Sequence, residues 1–514
     1  MALLMFLVSF LCASIGVIYF YFKGVYKYWE KRNVEYLDPI FPFGNMKDVL
    51  LARADFGGFL QDLYNRTKDK FFGIYLINRP CLVIKDPELI KTIIIKDFDH
   101  FVDRGILADE EYDPLSGNLF SLSGQKWHKL RVKLTPTFTS GKLRAMFPSV
   151  ITAAENMQKH LVKNLNRNPN ENIYEVRDLS ARFVTDLIAS VAFGITVDSI
   201  SDPNVLFRKM GQKALEPTFK NGFVTLLSFM APKLLELLKI KQTPDEVEKF
   251  MVSVVEQTVK YRGENNIVRE DFMQLMIQLK NSGTVKEDGD WSAENVDSKK
   301  QTMTINEITA QAAIFFFAGF ETSSSVMSFC LYELAKLPDL QDKVYQEIKQ
   351  VLDENNGEYS YESLKKMKSL ERCMHESMRI YPPAPALVRI CTKDYKIPDT
   401  NVTVEKGTNI LISLLGLHKD PKYFENPKKF DPDRFLPENT AKRPPFTYLP
   451  FGDGPRSCIG ARMGRLNSKV GLAVLLSSFR FELGPTMGQE LKMEASQILM
   501  QPVDGIKLKL IPRK

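Results

Sequence analysis

The chain has 514 residues, 44% of them hydrophobic and 25% charged, with a formal net charge of +7. That is globular composition with enough chain for a large core, and the modest positive balance without any basic–aromatic repeat argues against a nucleic-acid binder. The six cysteines, Cys12, Cys81, Cys330, Cys373, Cys391 and Cys458, are scattered without a CxxC pair, which argues against a zinc ribbon or a disulfide scaffold and for a reducing compartment.

Residues 2–22 are uncharged and mostly apolar, long enough to cross a ~30 Å hydrocarbon core as a helix. Lys23, Lys27, Lys31 and Arg32 follow at once and no charged side chain precedes the stretch. That asymmetry predicts an uncleaved anchor whose C-terminal side faces the cytosol, because a secretory signal carries its positive charge before the apolar core. Residues 23–45 read as a basic, proline-containing linker, with Asp38 to Asn45 extended because each proline keeps its predecessor out of the helical region. Residues 46–514 show no internal repeat and no composition break, which predicts one large, mainly α (α+β) domain with small sheets. The sequons at Asn65 and Asn401 are expected to be unmodified on the cytosolic side.

The body opens with a hairpin signal, Phe72 to Ile77 and Cys81 to Ile84 around Asn78-Arg79-Pro80, followed by a helix after Asp86-Pro87. A helix is predicted from Gln125 to Leu134, stopped by Pro136, with Trp127 and Arg131 on one face and Lys126, Lys129 and Lys133 on another. Residues 145–280 read as mostly helical. Within them, Val224 to Ala231 is an apolar run too short to span a bilayer, and a buried core segment is the default reading. Residues 281–303 read as a surface loop.

Thr304-Ile-Asn-Glu307 is a capping box and opens a helix that runs to Lys336, before Pro338. Its centre, Ala312 to Phe320, is apolar all round, the mark of a buried helix. Gly319, Glu321 and Thr322 stand out against that background. Glycine weakens a helix by ~1 kcal/mol relative to alanine, and a buried carboxylate needs a partner. Either the run to Ser325 leaves the core, or threonine competes with the backbone and opens a groove there. A helix over Lys368 to Ile380 carries Glu376 and Arg379 three apart, and Pro432-Asp433-Arg434-Phe435 lies downstream. Strands are predicted at Thr408–Ser413, Ser496–Met500 and Ile506–Leu510.

Phe451-Gly-Asp-Gly454-Pro-Arg456-Ser-Cys458-Ile-Gly460 places three glycines and a proline in ten residues, which forbids regular structure. A helix from Ala461 to Phe479 follows, so Cys458 sits just before a helix N-terminus, where the macrodipole and free N–H groups favour thiolate. A lone cysteine is more often an inert buried residue. The spacing outweighs that reading: Phe-x-x-Gly-x-x-x-Cys-x-Gly, with arginine two before the cysteine, resembles the haem-binding signature of the cytochromes P-450, and Phe451, Gly454, Arg456, Cys458 and Gly460 fill every fixed position. In that family the Cys thiolate ligates haem iron.

The resemblance extends over nearly the whole chain and implies the cytochrome P-450 fold, haem b (iron protoporphyrin IX) as cofactor and monooxygenase activity. It assigns Cys458 as the axial iron ligand, and Trp127, Arg131, Arg104 and Arg389 as haem-propionate partners. Ala318-Gly-Phe-Glu321-Thr322 resembles the family's acid–alcohol motif, in which the pair relays protons for oxygen activation. Glu376, Arg379 and Arg434 resemble a buried structural triad, with Asp433 where the family has glutamate. By resemblance, Ala384 to Arg389 lines the substrate pocket, and Phe315, Phe316, Phe317 and Leu387 imply an apolar cavity. By resemblance too, Val224 to Ala231 falls where the family's loop between two helices dips into the membrane surface, the alternative to a core segment. The wording of 101–105 and 316–326 is similar to insect microsomal members of the sixth family. Those usually oxidise lipophilic foreign compounds, including plant toxins and insecticides, at the endoplasmic reticulum, with NADPH–cytochrome P-450 reductase and cytochrome b5 as redox partners. The lysines of 126–133 and Arg462 are candidates for docking an acidic flavoprotein. A peroxide isomerase or synthase, a hormone or lipid hydroxylase and a non-enzymatic haem protein, a gas sensor or ligand carrier, are the alternatives. Glu321-Thr322 argues against the isomerase, whose relatives often lack the pair.

Overall fold

A computed structural model describes residues 1–216, 232–293, 302–495, 497 and 499–513. The run Val224 to Ala231 lies outside the described residues. Seven helices position the site: Ala2–Val25 (α1), Gly124–Leu134 (α2), Ser140–Arg167 (α3), Val176–Ile188 (α4), Ile305–Lys336 (α5), Lys368–Ile380 (α6) and Ala461–Ser478 (α7). The strands are Phe71–Leu76 (β1), Arg79–Ile84 (β2), Ile173–Glu175 (β3), Ala386–Ile390 (β4), Tyr395–Lys396 (β5), Thr403–Val404 (β6), Asn409–Ser413 (β7), Phe479–Leu483 (β8) and Lys507–Pro512 (β9). They form three small sheets, ordered β1-β2-β7-β4, β3-β9-β8 and β5-β6.

The long helix α5 is the centre of the main core and packs against α4 and α7. Thr304 caps it: its hydroxyl accepts from the Glu307 N–H at 3.1 Å and the Glu307 carboxylate accepts from the Thr304 N–H at 2.7 Å, so two orphan donors are satisfied reciprocally. Helices α1 and α5 are both long and apolar enough to cross a membrane, but α5 is largely buried inside the domain whereas the span in α1 is exposed along its length. Only α1 has the character of a membrane span.

Three expectations are corrected. The hairpin turn falls at Ile77-Asn78, and Arg79 and Pro80 already pair with Leu76 and Tyr75. Proline is tolerated at this end of β2 because pairing with β7 begins only at Cys81. Among the described residues of 496–500 there is no strand. The backbone bonds of this region go elsewhere, from Met500 N to Pro383 O at 3.4 Å and from Glu494 N to Gln501 O at 2.7 Å. Asp38 to Asn45 is not extended throughout. The helical turns of α1 continue through Arg32, and Asp38 to Asn45 doubles back through a bridge between Ile40 and Gly44.

Candidate functional site

The loop 451–460 is shaped by its glycines. Gly454 has φ +73°, and a Cβ there would lie 2.1 Å from Ile94 O, so only glycine fits. At Gly460 a Cβ would meet no protein atom within 4 Å. Backbone bonds from Cys458 N to Phe451 O at 2.9 Å and from Ser457 N to Gly454 O at 3.0 Å close the loop, and Gly460 caps α7. Phe451 is half-buried, with the Arg465 guanidinium 5.5 Å from its ring centre.

Solvent reaches Cys458, yet the protein atoms around it make a charge there costly. Burial pushes the thiol above its usual range, opposed by the Gly460 N–H and by Arg131, Arg104 and Arg465. The expectation that the helix terminus alone would favour thiolate is corrected on this point: desolvation outweighs the fixed dipoles for the bare thiol. A metal ion would displace that proton.

Four guanidiniums gather near this loop. Arg104 donates to Phe120 O at 3.0 Å and Arg456 O at 3.2 Å, and Arg131 donates to Ser457 O at 3.0 Å. Arg456 donates to Val102 O at 2.9 Å and Leu122 O at 2.7 Å, and stands 3.4 Å from the Asp103 carboxylate. Arg389 on β4 donates to Val388 O at 2.7 Å, while its buried Nε has no partner. Burial and mutual repulsion hold their acidities up: Arg104 falls to about 9, through burial first and then Arg389, Arg456 and Arg131. Burial also brings Arg389 to about 10 and Arg456 to about 9. Crowded cations with one carboxylate among them are an anion site. Trp127 is buried, with the Arg456 guanidinium stacked 3.9 Å from its ring centre, so its face is used to hold that arginine.

The thiol, the four arginines and the open approach at Gly460 fit haem, which needs a soft axial donor and counter-charges for two propionates. The cation set fits that dianion better than it fits its own mutual repulsion.

Glu321 and Thr322 sit mid-way along α5. Glu321 is 5% exposed and forms an ion pair with Arg177 on α4, while Gln501 Nε2 donates to its Oε1 at 2.6 Å. The partner that a buried carboxylate requires is thus supplied from 144 residues away. Thr322 Oγ1 donates to Ala318 O at 2.7 Å, the backbone competition expected of threonine in a helix. The helix α5 is continuous from Ile305 to Lys336, and with Glu321, Ser323, Ser324 and Ser325 all buried the run to Ser325 does not leave the core. Gly319 lets α4 approach: a Cβ there would stand 2.7 Å from Ile188 Cδ1.

The three phenylalanines do not face one way, because consecutive residues turn by 100° around a helix. Phe316 is fully buried against Phe193, Phe207 and Phe320. Phe315 packs on Phe138 and Phe272. Ile314, Phe317, Ala318 and Thr322 are the positions of this face that solvent reaches, and they follow the three-and-four spacing of one helical stripe.

Glu376 and Arg379 are fully buried and joined by two parallel bonds, 2.7 and 2.8 Å. Arg379 also donates to His418 O at 3.0 Å and Pro427 O at 2.9 Å. Arg434 completes the group, its Nε 3.3 Å from Glu376 Oε1, while Asp433 points to solvent, 71% exposed. Of the basic residues on the face near α2, Lys126, Lys129 and Arg462 are exposed and Lys133 is half-buried. Sequence reasoning missed Arg177, Gln501, Asp103 and Arg465. Only the demand of a buried Glu321 for a partner could have signalled the first two.

Comparison with known proteins adds the last observation. The family model described as "Cytochrome P450" matches residues 35–510. Relatives span both chains almost completely. "Probable cytochrome P450 6a20" of Drosophila melanogaster is 39% identical, covering 96% of this chain and 98% of its own. "Cytochrome P450 6k1" of Blattella germanica is 40% identical, covering 95% and 93%. "Cytochrome P450 6d1" of Musca domestica is 36% identical, covering 97% and 98%.

Proposed function

The chain belongs to the cytochrome P450 family and is a haem-dependent monooxygenase, and from that premise we propose that it is a membrane-anchored oxidase of lipophilic foreign compounds. Plant toxins and insecticides are the expected substrates. Reduced NADPH–cytochrome P-450 reductase, with cytochrome b5 as a second donor, supplies the electrons. The anchor sits in the endoplasmic reticulum membrane with the catalytic domain in the cytosol. The reaction consumes one O2, NADPH and a proton, and returns one oxygen atom in the product and one in water.

The observation that carries the site assignment is the gathering of Arg104, Arg131, Arg389 and Arg456 around the loop that bears Cys458. In this reading Cys458 Sγ would hold the haem iron, and the four guanidiniums would hold the two propionates, with Trp127 keeping Arg456 in place. Phe451, Gly454 and Gly460 shape the loop to admit a flat group. Bound haem supplies the chemistry of oxygen activation. Thr322 Oγ1 orients a proton at the oxygen side by exchanging its bond to Ala318 O for one to water or ligand. Glu321 is held through Oε1 by Arg177 and Gln501, which leaves its other oxygen, Oε2, to take up a proton from water and pass it on. Phe317, Ile314 and Leu387 exclude bulk water from the reacting carbon. Glu376, Arg379 and Arg434 lock the segment behind the loop.

Reconstitution tests the reading. With reductase, lipid and NADPH, a lipophilic substrate should be hydroxylated and incorporate label from 18O2. Product formed with peroxide substrates and no NADPH would favour an isomerase.

A further inference from the structure

The stretch between the apolar helix and the catalytic domain reads from the sequence as a linker, and its contacts are those of a mount. The helical turns of α1 run on past its last residue: Tyr26 N bonds to Phe22 O at 2.8 Å, Tyr28 N to Val25 O at 3.0 Å and Arg32 N to Trp29 O at 3.0 Å. Trp29 is fully buried against β1, where Gly73 leaves room for it; a Cβ at Gly73 would stand 2.4 Å from Trp29 Cγ. Its indole donates to Ile74 O at 3.0 Å, and its N–H donates to the Tyr75 hydroxyl at 3.2 Å, which in turn donates to Tyr26 O at 2.8 Å. Gly44 N donates to the Tyr26 hydroxyl at 2.9 Å. Arg32 pairs with Glu405 and lies over the Tyr28 ring.

The rest of the stretch covers the free edge of β1. Gly73 N bonds to Glu35 O at 2.7 Å, Leu37 N to Gly73 O at 3.1 Å and Asn45 N to Tyr75 O at 2.9 Å. An edge strand presents unpaired N–H and C=O groups, and pairing them joins the segment to the sheet. Higher on α1, Phe41 packs edge-on against both Tyr19 and Phe22, each at 5.4 Å between ring centres. Ile40 and Phe41 remain 50% and 38% exposed, directly beside the exposed apolar surface of α1. Tyr19 and Tyr21 on α1 add to this belt, and Lys23, Lys27 and Lys31 are exposed just beyond it at four-residue spacing. Aromatic rings followed by lysines are the pattern of the membrane–water interface.

We infer that the anchor helix and the catalytic domain are one rigid body, clasped at Trp29 and seated in the lipid interface through Tyr19, Tyr21, Ile40 and Phe41, so that the bilayer sets the orientation of the domain. This rests on the proposal that α1 spans the bilayer. A flexible tether over 23–45 would instead let the two ends wander over about 26 Å.

The test uses the holoenzyme in phosphatidylcholine nanodiscs, spin-labelled at the native exposed Cys12 and at N401C on the domain surface. Pulsed electron–electron resonance should give one narrow distance peak for the otherwise unaltered chain. Trp29→Ala should broaden it several-fold, towards the width of a control with Gly-Ser-Gly-Ser inserted after Gly24. If Trp29→Ala yields no holoprotein, Tyr75→Phe, which removes the bonds to Trp29 N and Tyr26 O and keeps the ring, is the substitute. An unaltered chain as broad as the insertion control, or a clasp variant as narrow as the unaltered chain, overturns the inference. Release of the protein from vesicles by alkaline carbonate would instead refute the spanning reading, independently of the peak width.

Discussion

Replacing Arg379 by lysine keeps the charge and removes the planar fork that this buried site uses. Arg379 is fully buried and its guanidinium serves Glu376 twice, His418 O and Pro427 O. A lysine offers one compact charge in place of a planar fork. It can keep one bond to Glu376 and leaves at least one carbonyl without a donor, each such orphan costing about 1–3 kcal/mol. Weakening a buried ion pair without removing its other member adds to that, and the whole comes to roughly 3–5 kcal/mol. The damage reaches the Cys458 loop, because His418 Nε2 accepts from Leu449 N at 2.9 Å and the Tyr448 hydroxyl donates to His375 O at 2.9 Å. Those two bonds hold the run that enters the loop. The assay is urea denaturation of the holoenzyme followed by loss of the thiolate-type Soret band. At a slope of ~3 kcal/mol per M the midpoint should fall by about 1 M or more. A midpoint within ~0.3 M of the parent's, under ~1 kcal/mol at that slope, would refute the reasoning.

Three further outcomes are expected. Thr322→Ala should divert reducing equivalents to hydrogen peroxide, read as peroxide per NADPH consumed; unchanged coupling removes the hydroxyl from proton transfer. Arg177→Met should strand the buried Glu321 carboxylate with Gln501 alone, destabilising by roughly 3–5 kcal/mol and lowering product per NADPH, with Arg177→Lys recovering part of both; an Arg177→Met enzyme with parental coupling would separate the ion pair from turnover. Burial holds His418 down to about 3 and His375 down to about 4. Each therefore stays neutral in the fold while the unfolded chain takes up a proton below about 6.5, so stability falls as pH drops from about 6.5 towards 4, by up to ~1.4 kcal/mol per pH unit per histidine. A series of urea midpoints over that range should show the slope, and His375→Gln should reduce it; a flat series contradicts it.

What could be read from residue order alone was what depends on neighbours in the chain. The capping box at Thr304, the glycine loop around Cys458 and the Trp127–Arg131 spacing are local patterns with local physics. The partners of Glu321 were invisible because Arg177 and Gln501 are 144 and 180 residues away. Three consecutive phenylalanines suggest a cavity, but helix geometry sends Phe316 into the core and lays Phe315 on Phe138 and Phe272. Reading 23–45 as a linker gives weight to its prolines and basic residues and overlooks Tyr26, Tyr28 and Trp29, whose density in so short a run calls for a burying surface. That surface includes Gly73, a glycine within a strand, which signals close approach of another group. Cys458 was read through its helix dipole, and the larger opposing effect, desolvation, depends on atoms from elements far off in sequence.

The carbon monoxide difference spectrum of the reduced, full-length protein bears most directly on the site. Carbon monoxide opposite a thiolate gives a strongly red-shifted Soret band, and the parent protein should show it while Cys458→His shows only the shorter-wavelength band of an imidazole-ligated haem. A parent spectrum of the imidazole type, or a red-shifted band that survives Cys458→His, would contradict the assignment of that sulfur to the iron.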